Sequence, residues 1–474
     1  MAQIIGRLAE IKSLENYYDS GRPEFIVVYG RRRVGKTFLI KELFSERFAF
    51  YFTGSLNVKN KTNLLMFDAA LRQFGSCDNS ASKNWFDAFQ KLRDLLSRDQ
   101  GVRKIVFIDE MPWLDTSKSE FLPAFDYFWN SWTSSNPDIM FIGCGSATTW
   151  ITKNIFKNKG GLHNRLTGRI YLSPFTIGEC EDYFQARSIV ITRYQLAECY
   201  MILGGIPYYL SLFEKGLSFT QNVDKLCFAK QAKLKNEFEE LFGSLFKHPG
   251  RYLEVVEALA SKRSGMSLKE ICEDAEIPLG GNVSKIMDDL EQSSFIERYS
   301  DFTKRKRETQ FYLVDSFTLF YFEFIKNNTF KDEFFWTNFI DNGQHRAWFG
   351  YAFEQLCRLH LPQIKRKLGI SGVSTSTTTW KSHESSPGAQ IDLVIKRNDG
   401  VINLCEIKYT KHEYTISKEY ASELEKKISV FRKESKTKYA IHLTMITTFG
   451  VSRAGYFSMM QSEVGLDDLF AGSG

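Results

Sequence analysis

A glycine-bounded octapeptide near the start of the chain reads Gly30, Arg31, Arg32, Arg33, Val34, Gly35, Lys36, Thr37. It has the spacing GxxxxGK(S/T), follows the apolar run 25–29 and opens into residues 37–44, which have helical character. This order predicts a strand, a loop and a helix. Glycine at both ends allows the loop to fold back, so that consecutive backbone N–H groups face a bound triphosphate.

The residue types of the octapeptide suit the binding of ATP with Mg²⁺. All eight residues are expected to contribute to nucleotide binding, and the helix that begins near Lys36 directs its positive dipole end at the same phosphates. We expect Lys36 to reach the β- and γ-phosphates and the Thr37 hydroxyl to ligate Mg²⁺. The alternative is a strand–helix turn that matches the pattern by chance, which the flanking strand and helix disfavour.

Two carboxylates end the next long apolar strand of the sequence. Residues 104–108 are followed directly by Asp109 and Glu110. We expect Asp109 to hold the Mg²⁺ shell and Glu110 to polarise the attacking water. The alternative is a strand that ends in solvated acids. The catalytic role is favoured because a complete phosphate loop precedes this strand.

Polar residues also lie close to the later strands of this region. The apolar run 138–143 leads to Ser146, which would either sense the γ-phosphate or be a plain turn serine. A strand over 168–172 lies close to Arg165 and Arg169. Either arginine would be an arginine finger on the nucleotide of a neighbouring subunit in a homo-oligomer, or an ordinary surface side chain. Strands alternating with helices predict an α/β domain with a parallel sheet.

Composition limits the class of protein. The 474 residues predict about three domains, and a net charge of +6 permits an acidic partner such as DNA without requiring one. Eight cysteines without a CxxC pair suggest neither a zinc site nor a disulfide framework, as is usual in the reducing cytoplasm. The sequence predicts no signal peptide and no transmembrane run. We therefore expect a soluble, cytoplasmic protein with no membrane partner.

Short motifs follow one another in a characteristic order over the first 240 residues. Besides the octapeptide and the acids after residues 104–108, they are Gly6-Arg7, Gly145-Ser146, Ser173-Pro174-Phe175 and Gly204-Gly205-Ile206-Pro207. In this order they resemble the archaeal-type ATPase family, on the AAA+/STAND side of the P-loop NTPases. The resemblance implies an AAA+-like ATPase domain followed by a helical lid. Without it, residues 204–207 predict only a break between two helices.

Residues 245–315 have the pattern of a small helical domain with a β-hairpin. Three short helices precede two strands that a basic loop joins, and this order predicts a winged helix-turn-helix. The loop, residues 304–307, suits contacts with DNA phosphates. The helix over 282–292 carries both favourable and unfavourable residues for DNA binding. Its first part is neutral to basic, with Asn282, Ser284 and Lys285. The acids that follow, Asp288, Asp289 and Glu291, would repel phosphates. DNA binding and the docking of a protein partner are both compatible with this pattern.

The C-terminal third begins with an aromatic connector, residues 316–348, in which we expect packing rather than base stacking. A helix from about residue 350 follows, and then a Ser/Thr-rich segment, 371–379, expected to be a loop or an irregular edge. An Asp-Gly turn separates two apolar runs, 391–395 and 401–408, which predicts a β-hairpin. A long helix and a further strand complete an α-β-β-α-β order.

Four charged residues of this region form the pattern that a metal-dependent phosphodiesterase needs. Glu406 and Lys408 are two apart on one strand and share a face, which Asp392 can share from the partner strand. Asp392 and Glu406 would hold Mg²⁺ or Mn²⁺. Lys408 would activate the attacking water or steady the charge on the phosphate, and Glu354 would supply a further acid from its helix. The set resembles the PD-(D/E)XK nuclease superfamily, in the form that follows archaeal-type ATPase domains.

The sequence thus predicts an α/β multidomain protein with the following parts: a P-loop ATPase domain (1–180), a helical lid (181–244), a winged helix-turn-helix (245–315), an aromatic helical connector (316–348) and an α/β restriction-endonuclease-like domain (349–474). We expect an ATP-hydrolysing AAA+-like ATPase coupled to DNA binding and metal-dependent nucleic-acid cleavage. The alternative is a STAND-like signalling switch, in which the winged helix docks a partner and the C-terminal domain does not cut.

Overall fold

The computed structural model describes residues 3–98, 101–157, 160–162, 164–246, 248–300, 309–326, 328, 332–339, 343–382 and 388–472. The chain forms two compact units, Met1–Pro174 and Phe175–Gly474. In the part of the chain described here, no helix combines the length and the apolar character needed to cross a bilayer.

The first unit is built on a five-stranded sheet. Its strands are β1 (Glu24–Tyr29), β2 (Phe48–Thr53), β3 (Lys104–Asp109), β4 (Ile139–Gly145) and β5 (Gly168–Tyr171). They are ordered β2-β3-β4-β1-β5, and all neighbouring strands are parallel. β3 and β4 are buried along their whole length, as expected for a parallel sheet covered on both faces. The predicted parallel α/β fold is confirmed.

Helices of the first unit alternate with these strands. They are α1 (Leu8–Tyr18), α2 (Lys36–Phe44), α3 (Asn60–Gln73), α4 (Trp85–Leu96), α5 (Phe121–Ser131) and α6 (Thr148–Ile151). α4 shows why such a segment folds as a helix. The Asn84 side chain accepts a hydrogen bond from the Asp87 N–H and caps the first turn. Trp85, Phe89 and Leu92 then form a buried apolar stripe that packs in the core.

The second unit opens with a series of helices. They are α7 (Ile177–Ala186), α8 (Arg193–Leu203), α9 (Pro207–Ser211), α10 (Phe219–Val223), α11 (Glu237–Leu245), α12 (Pro249–Ser261), α13 (Leu268–Asp274) and α14 (Gly281–Gln292). Capping boxes fix the first turns of α7 and α8, through Thr176 with Glu179 and Thr192 with Gln195. The break between α8 and α9 falls at the Gly-Gly-Ile-Pro motif, 204–207, as predicted.

A three-stranded antiparallel sheet accompanies α12, α13 and α14. Its strands are β6 (Met266–Ser267), β7 (Ile296–Ser300) and β8 (Thr309–Leu313), in the order β6-β8-β7. The β7–β8 hairpin that the sequence predicts is present. Its basic loop, 304–307, lies outside the described residues.

Aromatic packing characterises the segment that follows, which includes α15 (Ser316–Phe320) and α16 (Phe335–Phe339). The Phe320 and Phe324 rings contact both Trp336 and Trp348, with centroids 5.1–5.6 Å apart. Both tryptophans are fully buried. These rings are therefore core, as expected from the sequence.

A five-stranded mixed sheet with flanking helices ends the second unit. It contains α17 (Gly343–Leu359), α18 (Leu361–Lys367), α19 (Lys418–Ser435), β9 (Thr375–Lys381), β10 (Gln390–Arg397), β11 (Val401–Lys408), β12 (Ala440–Thr447) and β13 (Ser462–Gly465). The order is β13-β12-β11-β10-β9, with β9, β10 and β11 antiparallel and β11, β12 and β13 parallel.

The Ser/Thr-rich segment 371–379 ends in an edge strand. Its second half belongs to β9, which pairs with β10 in a register that shifts between Ile391 and Val394. The run of threonines suits a strand, since β-branched side chains fit a pleated, half-buried surface. Of the two expected forms, a loop or an irregular edge, residues 375–379 take the irregular edge.

Candidate functional site

The loop between β1 and α2 depends on its two glycines for different reasons. Gly30 has φ +144°, and a Cβ there would lie 2.4 Å from the Leu172 carbonyl oxygen, so the close approach of the chain after β5 excludes a side chain. Gly35 has φ +89° at the N-cap of α2 and faces open space. Its requirement is conformational, because a left-handed backbone turns the loop into the helix.

Lys36 lies folded over the inner side of this loop. Its Nζ donates to the carbonyl oxygens of Gly30, at 3.0 Å, and Arg31, at 2.8 Å, and its side chain is buried. The Arg7 guanidinium supports the loop from the start of α1 by donating to the Val34 oxygen at 3.4 Å. The loop is thus held in shape by side chains on two sides.

The two side chains predicted to bind Mg²⁺ are in direct contact. The Thr37 hydroxyl donates to Asp109 Oδ2 at 2.8 Å, and Asp109 Oδ1 accepts the Glu110 N–H at 3.0 Å. A hydroxyl and a carboxylate are oxygen ligands of the kind that Mg²⁺ prefers. This pair therefore fits a magnesium ion at the phosphate loop.

Glu110 and Ser146, predicted separately, are hydrogen-bonded to each other. The Ser146 N–H donates to Glu110 Oε2 at 3.1 Å, and its hydroxyl donates to Oε1 at 2.8 Å. Burial raises the pKa of Glu110, nearby Asp109 raises it further, and Lys36 opposes the shift. Glu110 also has a left-handed backbone, with φ +48°. The backbone conformation of Glu110 thus sets the direction of its carboxylate, and Ser146, directly after β4, holds that carboxylate by hydrogen bonds.

Sheet order explains why these residues meet. β3, β4 and β1 are consecutive neighbours, all parallel, so their carboxyl ends lie at one edge. The phosphate loop follows β1, Asp109 ends β3, and Ser146 follows β4. Three segments distant in sequence therefore converge on one site.

The two arginines predicted as finger candidates lie on the surface of the first unit. Arg165 and Arg169 are both exposed. The Arg169 guanidinium carbon lies 4.4 Å from the centroid of the Phe156 ring, a cation–π contact within the same unit. A role on a neighbouring subunit stays a prediction for either residue.

Four charged residues predicted in the C-terminal region come together in the second unit. Asp392 Oδ2 accepts a hydrogen bond from the Ile407 N–H at 2.9 Å. Leu393 pairs with Cys405 across the two antiparallel strands, so Asp392 and Glu406 lie opposite each other one position further along. Glu406 is 1% exposed. Burial raises its pKa, and the nearby Asp392 carboxylate raises it further. β10 and β11 therefore place both carboxylates side by side.

Glu354 reaches the same place from α17. Burial raises its pKa to about 7, with Asp392 as the next cause. The Arg358 guanidinium, one helical turn on, donates to Glu354 Oε2 at 3.4 Å and to the Asp392 carbonyl oxygen at 3.2 Å. Arg358 thereby connects the helix to β10.

The sequence did not predict two residues of α19 that hold Glu406. Tyr420 OH and Lys427 Nζ both donate to Glu406 Oε2, each at 2.8 Å. Glu406 Oε1 is buried and has no hydrogen-bond partner among the described residues. The Lys408 amine lies 4.7 Å from the centroid of the Tyr420 ring. Tyr420 and Lys427 are two helical turns apart, a spacing that could have indicated a shared face.

The carboxylates provide few ligands for a metal ion. Among the described residues, no group of three or more His, Cys, Asp or Glu side chains could hold one. Mg²⁺ commonly binds through one or two carboxylates together with waters and substrate phosphates. Asp392 and the unpartnered Oε1 of Glu406 match that smaller requirement.

An open cleft of about 760 Å³ lies next to these residues within the second unit. Its walls are the end of α12, the β7–β8 hairpin, α17 and strands β9 and β11. Glu354, Arg358 and Lys408 line it. The predicted cluster therefore opens onto a concave surface rather than lying on a flat face.

The acids of α14 are engaged within the fold. The Arg298 guanidinium pairs with Asp288 and, at 2.6 Å, with Glu291. Asp289 is buried and accepts a hydrogen bond from Tyr252 OH at 2.5 Å. Arg298 thus reduces the phosphate repulsion expected of Asp288 and Glu291, whereas the partner of Asp289 is a neutral hydroxyl. The N-terminal residues Asn282, Ser284 and Lys285 are exposed.

The helix α8 is hydrogen-bonded to the residue that follows β11. Tyr409 OH donates to Glu198 Oε1 at 2.8 Å, and the Tyr409 ring stacks on Tyr194 with centroids 5.4 Å apart. Burial raises the pKa of Glu198 to about 7. Helix and strand end are therefore joined next to Lys408.

Comparison with known protein families gives a match to part of the chain. Residues 5–213 match the family described as "ATPase domain predominantly from Archaea". An uncharacterized protein of Methanocaldococcus jannaschii, MJECL04, is 26% identical over 413 residues, which cover 85% of this chain and 87% of that protein.

Two solved structures are similar to the chain at a lower level of identity. The Walker-type ATPase paby2304 of Pyrococcus abyssi is 17% identical, with 68% of this chain and 96% of that one covered and a TM-score of 0.49. The Aeropyrum pernix ORC2 protein is 14% identical, with 69% and 96% covered and a TM-score of 0.42.

Proposed function

Because residues 5–213 match the family described as an ATPase domain predominantly from Archaea, we propose that this region is an ATPase domain that drives a DNA-processing protein with a metal-dependent nuclease-like C-terminal domain. The match to this family supports ATP and Mg²⁺ as the ligands of the domain. The further parts of the proposal are the winged helix, DNA binding and nucleic-acid cleavage, and each has its own supporting observation in the second unit.

The contact series Thr37–Asp109–Glu110–Ser146 supports ATP hydrolysis. The loop N–H groups and Lys36 would bind the phosphates, and Thr37 and Asp109 would hold Mg²⁺, which would supply charge neutralisation. Glu110 would orient the attacking water. Ser146 holds Glu110 through two donors, so a change at the γ-phosphate would be transmitted through this pair.

ATP turnover tests the first part. Lys36→Ala removes the amine that neutralises the phosphates, and we expect it to abolish hydrolysis. Lys41→Ala is a matched control on the same helix. Normal turnover by Lys36→Ala would overturn the assignment of the site.

The three helices and hairpin of residues 249–313 support DNA binding by a winged helix. Asp288 and Glu291 of α14 are paired with Arg298, and the exposed end of the helix carries Asn282, Ser284 and Lys285. Short polar and cationic side chains at a helix N-terminus are suited to base edges and phosphates. Binding of duplex DNA that weakens in Lys285→Ala would support this part.

The adjacent carboxylates Asp392 and Glu406 support the nuclease part of the proposal. Asp392 and the free oxygen of Glu406 would hold Mg²⁺ or Mn²⁺, Lys408 would orient water or phosphate, and Glu354 would supply an acid. When bound, the ion supplies charge neutralisation at the scissile phosphate. The test is cleavage of supercoiled and single-stranded DNA with each metal. Glu406→Ala should lose activity, whereas Glu425→Ala, an exposed glutamate on α19, should keep it.

One observation favours a second candidate, a STAND-like signalling switch. Lys427 already neutralises Glu406 through Oε2, as an internal counter-ion would in a domain that binds without cutting. In that case the winged helix would dock a protein partner. Intact ATP hydrolysis with no cleavage under any metal condition would favour the switch. Either version would form a homo-oligomer if Arg165 or Arg169 completes a neighbouring nucleotide site.

A further inference from the structure

Lys427 of α19 supplies a positive charge to the carboxylates of the C-terminal sheet. Its Nζ lies 2.8 Å from Glu406 Oε2. The Asp392 carboxylate, which lies opposite Glu406 on β10, also interacts electrostatically with this ammonium. Burying a carboxylate is costly unless a positive charge neutralises it. The ammonium therefore provides the neutralisation that a metal ion would otherwise provide at this pair.

Glu406 is closed to solvent while this ion pair is in place. The residue is 1% exposed, and its Oε1 is buried without a hydrogen-bond partner among the described residues. Oε2 already accepts two hydrogen bonds, from Tyr420 OH and from Lys427 Nζ. A carboxylate oxygen has about two lone-pair sites, so Oε2 is saturated. A metal ion can therefore reach Glu406 only when a side chain beside it moves away.

Lys427 has a second carboxylate within reach. Its side chain is 15% exposed, and its Nζ already lies 3.4 Å from Glu423 Oε1, one helical turn earlier on α19. The Glu423 side chain is 56% exposed, so the ammonium can pair with it in solvent. Lysine carries a compact, strongly hydrated charge on a flexible stem. Rotation about the side-chain bonds can thus move Lys427 away from Glu406 while α19 stays in place.

Tyr420, the other donor to Glu406, is held more firmly. Its ring contacts that of Tyr414, with centroids 5.7 Å apart, and the Lys408 amine lies 4.7 Å from its centroid. A packed aromatic ring has fewer alternative positions than a flexible lysine stem. Of the two donors, Lys427 is therefore the one suited to leave.

We propose that Lys427 is a displaceable cation, which neutralises Asp392 and Glu406 in the metal-free protein and moves to Glu423 when a divalent metal ion binds. The proposal rests on the proposed nuclease function, because it takes the same carboxylates as metal ligands. It adds that a residue of α19 competes with the metal and so sets its affinity. A site that is open only part of the time binds its ligand more weakly by that fraction.

Binding of Mn²⁺ alone to the full-length protein, without nucleotide, tests the competition. Electron paramagnetic resonance of free Mn²⁺ counts the bound ions, and the part lost in Glu406→Ala is the part at this site. Lys427→Met should bind Mn²⁺ there about tenfold more tightly or better, as expected if the displaced state makes up roughly a tenth of the wild type or less. Lys426→Met, at an exposed neighbouring position, should keep the wild-type affinity.

Chemical labelling of lysine amines tests the movement in the wild-type protein, so it does not depend on the folding of a variant. Acetic anhydride followed by mass spectrometry reports how accessible each amine is. Saturating Mn²⁺ should make Lys427 label several-fold faster, because the released ammonium lies in solvent beside Glu423. Lys426, which is exposed on the same helix, is the internal reference and should label at an unchanged rate.

Equal Mn²⁺ affinities of folded Lys427→Met and Lys426→Met would overturn the proposal and leave the nuclease function standing. Unchanged labelling of Lys427 at saturating Mn²⁺ would overturn it in the same way. If no form of the protein, Lys427→Met included, binds Mn²⁺ through Glu406, the metal site of the nuclease function is rejected and the proposal with it. Tighter binding by Lys427→Met together with faster labelling of Lys427 would support the proposal, whether or not the protein cuts DNA.

Discussion

Replacing Lys427 with methionine should locally destabilise the C-terminal sheet. Lys427→Met keeps much of the side-chain volume but removes the ammonium 2.8 Å from Glu406 Oε2. The Glu406 side chain is 2% exposed, and its Oε1 has no partner among the described residues. The change therefore leaves a buried carboxylate with the Tyr420 hydroxyl as its remaining hydrogen-bond partner among the described residues. Removing one partner of a buried ion pair costs about 3–5 kcal/mol.

Hydrogen exchange followed by mass spectrometry measures this effect at β11. A loss of about 3 kcal/mol in opening free energy corresponds to exchange on the order of 100-fold faster at fixed pH and temperature. Lys426→Met, an exposed neighbour on α19, is the matched control and should exchange as the wild type does. The double variant Glu406→Gln/Lys427→Met should recover most of the loss, because no buried charge is left.

Two outcomes would refute this reasoning. If Lys427→Met exchanges no faster than Lys426→Met at β11, the ion pair does not stabilise the strand. If the double variant is as unstable as Lys427→Met, the loss arises from packing of the lysine stem and not from the uncompensated carboxylate.

Three further predictions concern other parts of the chain. Ser146→Ala removes the hydroxyl donor to Glu110. We expect ATP turnover to fall about 10- to 100-fold while nucleotide affinity stays within twofold. Unchanged turnover would show that this hydrogen bond does not contribute to catalysis. Gly30→Ala should lower the midpoint temperature of thermal unfolding and abolish nucleotide binding, because the new Cβ would lie 2.4 Å from a carbonyl oxygen. The control Gly21→Ala, whose Cβ would meet no neighbour, should bind nucleotide normally. Glu198 has a pKa raised to about 7, so its contribution to stability is present at low pH and is lost as pH rises through 7. Glu198→Gln should therefore lose less thermal stability than the wild type between pH 5 and 8, and equal losses would contradict the shift.

Sequence reasoning worked best where the chemistry is contiguous. The octapeptide and the acids after β3 are local patterns, and alternating strands and helices predicted the parallel sheet that brings them together. Ser146 was selected as a polar residue after a buried strand. Its contact with Glu110 could not be predicted, because that depends on β3 and β4 being neighbours and on the unusual backbone of Glu110.

The C-terminal site shows the limits of local patterns. Asp392, Glu406 and Lys408 were predicted from a hairpin and an alternating strand. Lys427 and Arg358 were missed, because helix charges are usually solvated and only tertiary packing turns these two inwards. The acids of α14 were judged as free charges, although their effect is reduced by Arg298, which lies on another element.

The division of the chain falls inside its ATPase family match. The match ends at residue 213, whereas the first unit ends at Pro174. The helices α7 and α8 therefore belong to the same unit as the C-terminal sheet. The hydrogen bond between Glu198 and Tyr409 joins α8 to this sheet, next to Lys408. A change that weakens the Glu198–Tyr409 hydrogen bond would therefore disturb the C-terminal end of the family match and the end of β11 together.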